Sequence, residues 1–315
     1  MNIIHSNLKE KIINFIIFVF RWVLILSVGY IIIFPLIQMI SQALMTQEQY
    51  TDTSVVWIPK EISMVNFKVA ISVMDYFKTL IWTFLVNVLS ALVQTFTCAI
   101  AAYGFSRFKF KGKSFFMAIL IFSIIVPPQM TVIPSYINYS NFNFLGVFDL
   151  INTLFKTNIN LNFIDTPFTF YLPSLFGVGL RSGLMIFIYM QFFKGLPNEL
   201  EEAASIDGAS SLKTFMSIVL PSSGVAIISV LILSVIWHWN EYFLSVMYFT
   251  NNSTLSVRLY NIQMYLTTFG IDADMAVTTG VIKGACLLFI LPMLVMYMLL
   301  QRKFIQSIDK IGIVG

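Results

Sequence analysis

The chain has 315 residues, of which 58% are hydrophobic, 16% aromatic and 11% charged, with a net charge of +4 and a mean hydropathy of +0.83. A soluble domain carries roughly 45–50% apolar and about 25% charged residues, so this composition excludes an ordinary soluble enzyme and points to an integral membrane protein. The excess of Lys and Arg is small enough to report membrane topology, and no nucleic-acid partner is implied.

A run of ~20 apolar residues crosses ~30 Å of hydrocarbon as a helix. Six such runs follow one another, at 12–41, 79–104, 115–137, 168–193, 219–249 and 276–300. They are much longer than the ~10 alternating residues of a barrel strand, and lipid leaves no other way to satisfy the backbone. The fold class expected is therefore all-α, a multi-pass cell-membrane protein of six transmembrane helices. The first run follows Lys9 and Lys11, but it is too long for a signal sequence and has no small-residue cleavage site. Arg21 and Trp22 are placed at the inner headgroup level, with 12–20 along the interface and 22–41 spanning. This gives an N-terminal segment over 1–21, a membrane domain over 22–300 and a tail over 301–315.

With the N-terminus inside, eleven Lys and Arg fall in inner segments against five outside, so both termini are expected in the cytoplasm. SRFKFKGKS at 106–114, between the second and third helices, is the densest inner cluster. Its GKS resembles the end of a phosphate loop, but Arg107 stands where a glycine is required and no strand precedes it. Cys98 and Cys286 fall inside spans as small apolar fillers. His5 and His238 are far apart and lack partners at metal spacing, so no metal site is expected. Nor does any nucleophile, base or carboxylate pair suggest catalysis, and energy for transport must come from an ion gradient or a separate ATPase.

After the fourth run, Gly195 and Pro197 stop one helix and open another. Glu199, Glu201 and Glu202 fill its first turn, where the helix dipole favours negative charge. Leu196, Leu200, Ala203 and Ala204 are expected on one face, and Asn198, Glu201, Glu202 and Ser205 on another. Asp207 and Gly208 make a turn, and Ser210 or Ser211 caps a second helix running to Pro221. The loop over 195–221 thus reads as a helix, turn, helix bracket offering its carboxylates to water or to a partner.

Glu202-Ala203-Ala204, Gly208 after three positions, then Ile218, Leu220 and Pro221 match the EAA motif of ABC importer permease subunits in every spacing. QFFKGLPNELEEAASIDGAS at 191–210, WHWNEYF at 237–243 and FILPMLVMYMLLQRKFIQSI at 289–308 resemble the maltose-type carbohydrate permeases in particular. That resemblance covers nearly the whole chain and implies the MetI-like permease fold. It further implies that Glu201, Glu202, Ala203, Ala204, Asp207, Gly208, Ile218 and Pro221 form a coupling element on a cytoplasmic ATPase. The partners implied are a second, homologous permease subunit, two ATPase subunits that bind the ATP and Mg, and an external solute-binding protein. The tail over 301–315 is similar to one that reaches the ATPase pair.

Ionisable and aromatic groups inside the runs are candidates for the pathway or its gate. Arg181 falls near mid-membrane by helical rise from Lys194, as a pathway residue or a structural partner of a helix carbonyl. Glu241 and Lys283 share an outer depth at which they can pair. Trp237, Trp239 and Asn240 lie beside Glu241, as sugar-stacking groups or as an interfacial belt. Gly179 with Gly183, and Gly280 with Gly284, have the spacing of close helix contacts. An ion-coupled transporter predicts two related halves with matching interruptions, and Pro127-Pro128 has no counterpart. A membrane enzyme requires groups that are missing. An ATP-driven importer permease is the function expected, by the resemblance for an oligosaccharide, with monosaccharides, sugar phosphates or sugar acids open and amino acids or phosphate as more distant alternatives.

Overall fold

The computed structural model describes residues 2–52, 57–143, 146–271 and 275–312. Among these the chain is helical, and its only extended pairing is an isolated antiparallel bridge between Phe142 and Leu161. The helices are α1 (Asn2–Leu44), α2 (Gln47–Thr51), α3 (Val65–Val73) and α4 (Tyr76–Arg107), then α5 (Lys113–Ile125), α6 (Val132–Ser140) and α7 (Val147–Phe155). After them come α8 (Phe168–Leu175), α9 (Ser182–Lys194), α10 (Glu199–Ile206), α11 (Ser211–Ser222) and α12 (Gly224–Trp239). The last four are α13 (Phe243–Tyr248), α14 (Leu255–Tyr260), α15 (Ile262–Thr268) and α16 (Met275–Gly312).

Among the described residues three helices are long and apolar enough to cross a membrane: Glu10–Leu44 of α1, the whole of α4, and Thr278–Gln301 of α16. The three other expected runs are interrupted, each for a local reason. The third ends at Ile125 because Val126 precedes Pro127 and leaves the helical region, with ψ 120°; a single 3₁₀ turn over Pro128–Met130 leads into α6. The fourth breaks between α8 and α9, where Gly177 takes φ +70° and Arg181 φ +59°. The fifth bends by 81° between α11 and α12. There Pro221 cannot donate to the ladder, and Ser223 returns its hydroxyl to the Val219 carbonyl.

The expected change of direction at Arg21 does not occur, and α1 runs through it unbroken for 43 residues. No Pro or Gly lies between Lys11 and Val28, so nothing interrupts the hydrogen-bond ladder. At 1.5 Å per residue that helix is about 65 Å long, so residues 22–41 still cover ~30 Å and the part before Arg21 continues the same rod.

The chain divides into two compact units, Met1–Val73 with Gln263–Leu288, and Met74–Ile262 with Phe289–Gly315. In the first, Asn66 of α3 donates to the carbonyls of Ala43 and Met45 at 3.1 and 2.8 Å. A Cβ on Gly280 would lie 2.5 Å from the Asn66 amide nitrogen, so Gly280 is where α16 comes close to α3. In the second, α4 is the central helix. Its Cys98, Ala99, Ala102 and Tyr103 pack with Met185, Ile186, Tyr189 and Phe193 of α9 and with Phe215, Val219, Ala226 and Val230 of α11 and α12. Small residues on α4 meet large ones on α9, which suits contact made by close packing where lipid gives no hydrophobic drive. Gly183 extends this pattern, since its Cβ would meet the Ser123 hydroxyl of α5 at 2.5 Å. Gly179 lies in the break before α9, so the two are not a pair on one helix.

Candidate functional site

Residues 196–223 form a bracket whose turn is a complete Schellman motif. The Gly208 N–H reaches the Ser205 carbonyl at 3.1 Å and the Ala209 N–H reaches the Ala204 carbonyl at 2.9 Å, with Gly208 at φ +77°. Ser210, in extended conformation, then accepts from the Lys213 N–H and opens α11. Between Phe215 and Val219 the helix widens to π geometry, and Ile218 there is half-buried.

The acidic face divides in two. Glu201 turns inward, its Oε1 2.6 Å from Nε of Arg107 at the end of α4 and its Oε2 accepting from the Tyr103 hydroxyl at 3.0 Å. Arg107 also donates to the Asn198 side chain and, at 3.0 Å, to the Leu196 carbonyl. The Arg107 and Glu201 side chains are 13% and 17% exposed, so this is a largely dry latch tying the bracket to α4. Glu202, Ala203, Asp207 and Pro221 are exposed, as are Leu200 and Ile206, the latter at 87%. Ala204 is buried, so Ala203 and Ala204 do not share a face. The expectation that all the carboxylates are offered outward is corrected at Glu201: a carboxylate 2.6 Å from an arginine nitrogen and bonded by a tyrosine hydroxyl gains more from that pairing than from water.

A second constellation surrounds a cavity of about 710 Å³ in the same unit. Phe116, Ser123, Pro127, Ser135, Tyr139, Phe170, Arg181, His238 and Tyr248 contribute to its wall. The break from Phe176 to Arg181 borders it, which is where irregular backbone is tolerated at membrane depth. Fully buried Gln94 holds that break in place. Its Nε2 donates to the Leu180 carbonyl at 2.6 Å and to the Ser182 hydroxyl at 2.9 Å, and its Oε1 accepts from Ser234 of α12 at 2.9 Å. The Ser234 carbonyl in turn lies 2.9 Å from Nδ1 of buried His238, whose Nε2 has no hydrogen-bond partner. Arg181 is exposed beside the cavity, its guanidinium 5.6 Å from the Trp237 ring centroid.

Trp239 is withdrawn from the candidate pathway. It is fully buried and its indole donates to the Phe289 carbonyl at 3.2 Å, so its ring packs inside the unit and is not a wall of the cavity. Glu241 accepts from the Leu244 N–H at 2.8 Å, at the start of α13. It is thus engaged at a helix end, and Lys283 belongs to the other compact unit. Asn240 is exposed and its side chain returns to the Ile236 carbonyl at 2.7 Å. Lys283 is half-buried on α16. Of the tail, α16 extends to Gly312, and 313–315 lie outside the described residues. Sequence reasoning missed Arg107, counted only as a topology charge, and Gln94, a single amide inside an apolar run. The second carried a usable signal, because a polar side chain at membrane depth requires a named partner.

Residues 94–310 match the profile of the family described as binding-protein-dependent transport system inner membrane component. The chain is 26% identical over 299 residues to the probable ABC transporter permease protein YurM of Bacillus subtilis (strain 168), spanning 93% of this chain and 88% of that one. It is 24% identical over 308 residues to the polygalacturonan/rhamnogalacturonan transport system permease protein YtcP of the same organism, spanning 95% and 97%. With the melibiose/raffinose/stachyose import permease protein MelC, also from that organism, it shares 29% identity over 268 residues, 84% and 86% of the two chains. Among solved structures it is similar in fold to a chain of a bacterial ABC transporter involved in the import of the acidic polysaccharide alginate. That likeness has a TM-score of 0.64 over 92% of this chain and 96% of the other, at 18% identity. The family match takes in the latch, the bracket and the cavity wall together, and the chain belongs to the binding-protein-dependent transport system inner membrane components.

Proposed function

We propose that this chain is one of two permease subunits of an ATP-driven importer and forms half of the path for a carbohydrate delivered by an external binding protein. The bracket carries the reading: Gly208 reverses the chain between α10 and α11, the Arg107–Glu201 latch fixes it to α4, and Glu202, Asp207 and Ile206 stand out from it. A helix pair so held transmits a push on its outer face to the central helix of the unit. Glu202 meets a basic residue of a cytoplasmic ATPase, and that ATPase supplies the ATP and Mg site that this chain lacks. The sugar class follows from the similar permeases, which are named for melibiose, raffinose, stachyose and polygalacturonan. Six crossings follow from the apolar runs and both termini inside from the distribution of Lys and Arg, with the broken helices α5–α6 and α8–α9 each making one crossing and α12 carrying the fifth beyond the bracket.

Vesicles carrying the chain with its own ATPase and second permease should take up labelled oligosaccharide only with ATP and the binding protein present. Uptake that persists without ATP and collapses with a protonophore overturns the proposal in favour of ion coupling.

A further inference from the structure

The cavity beside Arg181 lies within the ~300–1,000 Å³ of small-ligand sites, and its composition restricts what enters it. Its wall is largely apolar and aromatic, with hydroxyls from Ser123, Ser135, Tyr139 and Tyr248, and Arg181 is the one fixed charge on it. The arginine is placed there by the backbone: it takes φ +59°, uncommon for a long side chain, with its neighbours Leu180 and Ser182 both held by buried Gln94. Trp237 lies against one side of the guanidinium. Among the described residues no carboxylate comes within ion-pairing distance of it. Glu241 acts on it through space, but the Glu241 carboxylate is bound to the Leu244 N–H.

An exposed guanidinium at the edge of an apolar cavity is open to an incoming anion, and its planar fork fits a carboxylate with two parallel hydrogen bonds. A neutral sugar satisfies such a group only through single hydroxyls. We infer that this cavity receives the carboxylate of an acidic sugar, a uronic acid, with Arg181 as the residue that selects it. The aromatic wall takes the apolar faces of the sugar ring and the hydroxyls take its edges. The inference rests on the importer proposal and narrows its solute.

The test uses the complete membrane complex in nanodiscs, without the binding protein so that its specificity does not enter. The probes are digalacturonate and maltose, two disaccharides of similar size, measured by equilibrium dialysis. Digalacturonate should bind at least about tenfold more tightly than maltose, and Arg181→Gln should remove that preference, since a charge-assisted pair is worth about one to two decades in affinity. Arg181→Lys should keep the charge and lose part of the preference. Equal binding of both sugars, or a preference that survives Arg181→Gln, overturns the inference, as does displacement by inorganic phosphate at digalacturonate concentrations. If Arg181→Gln disperses the complex while Arg181→Lys binds digalacturonate normally in an intact one, Arg181 is an assembly contact and the inference falls. ATP-driven uptake of neutral sugar without digalacturonate binding leaves the importer proposal standing alone. Digalacturonate binding without ATP-driven uptake of any sugar removes the importer proposal and leaves the site.

Discussion

Glu201 and Glu202 are adjacent in sequence and have opposite tasks, because a helix turns 100° between them and only one faces Arg107. Glu201→Ala should leave Arg107 largely buried and unpaired and cost about 3 kcal/mol, the lower end for a broken buried pair. The measurement is a fall in the thermal midpoint of the purified chain. Glu202→Lys should lower that midpoint far less, because its side chain is exposed and only the helix dipole, worth below about 1 kcal/mol, opposes the change, and it should weaken retention of the ATPase on co-purification while the binding protein still holds its solute. A midpoint that drops in the Glu202 variant and not in the Glu201 variant would reverse the assignment. Gly208 separates space from backbone strain, since nothing lies within 4 Å of where its Cβ would be. Gly208→Ala should therefore cost about 1 kcal/mol through φ alone, Gly208→Asn less, and Gly208→Pro should abolish uptake because proline cannot take positive φ.

At the scale of elements, the helical class was legible from apolar run length, the short helices α2, α3, α7, α14 and α15 between the runs were not, and the breaks were legible only in part. Pro127-Pro128 announces its own interruption, but the break at Phe176–Arg181 depends on Gln94, which lies 86 residues from Leu180 and offers no local pattern. The Schellman turn was legible because Gly208 and Ser210 are local signals. Glu201 was misplaced because periodicity gives a residue's face and not its partner. Gln94→Leu should leave the Leu180 carbonyl and the Ser182 and Ser234 hydroxyls short of partners at about 1 kcal/mol or more each, and should disturb Arg181. Loss of digalacturonate preference together with a lowered melting point is the expected pair of readings. Outside the helices, Asp165 receives the N–H groups of Thr250 and Asn251 at 2.6 and 2.9 Å and bonds both side chains, pinning the segment before α8 to the one after α13. Burial pushes its carboxyl up, but bonds from Thr250 and Asn251 outweigh this and hold it below the usual carboxylate range. The depressed folded value means that the pin is present at neutral pH and is lost as pH falls below about 3.9 and through the folded value. Hydrogen exchange at 250–251, corrected for intrinsic rates, should rise across that range and be high throughout in Asp165→Ala.

For the whole molecule, the surface of α1 bears on how many chains make the functional unit. Residues 12–37 of α1 expose isoleucine, phenylalanine, valine and leucine on every side, with no polar stripe to mark a water-facing side. Such a helix is at home in lipid or against another membrane helix, and not in an aqueous channel. On the proposed function the path is not built on α1, and the second unit offers it a cavity bordered by the broken span and by exposed Arg181. On the importer proposal Arg181 comes near mid-membrane by helical rise from Lys194, where an arginine facing lipid would cost several kcal/mol, so we expect another subunit to close that side across a wet path. On the proposed function the bracket is this chain's one coupling element, and a pair of ATPases would require two. We predict that the complex contains one copy of this chain and one of a homologous permease, on two ATPase subunits. Native mass spectrometry of the complex extracted from its own membrane gives the stoichiometry directly. Cysteine labelling supplies the geometry: position 241 should react with an impermeant reagent from outside in whole cells, and position 181 only in the outward-open complex. A transport-competent assembly holding two copies of this chain and no second permease would defeat the prediction. Labelling at 181 in every state, with 241 protected, would place the arginine on the outer surface and remove the argument that a partner must cover it.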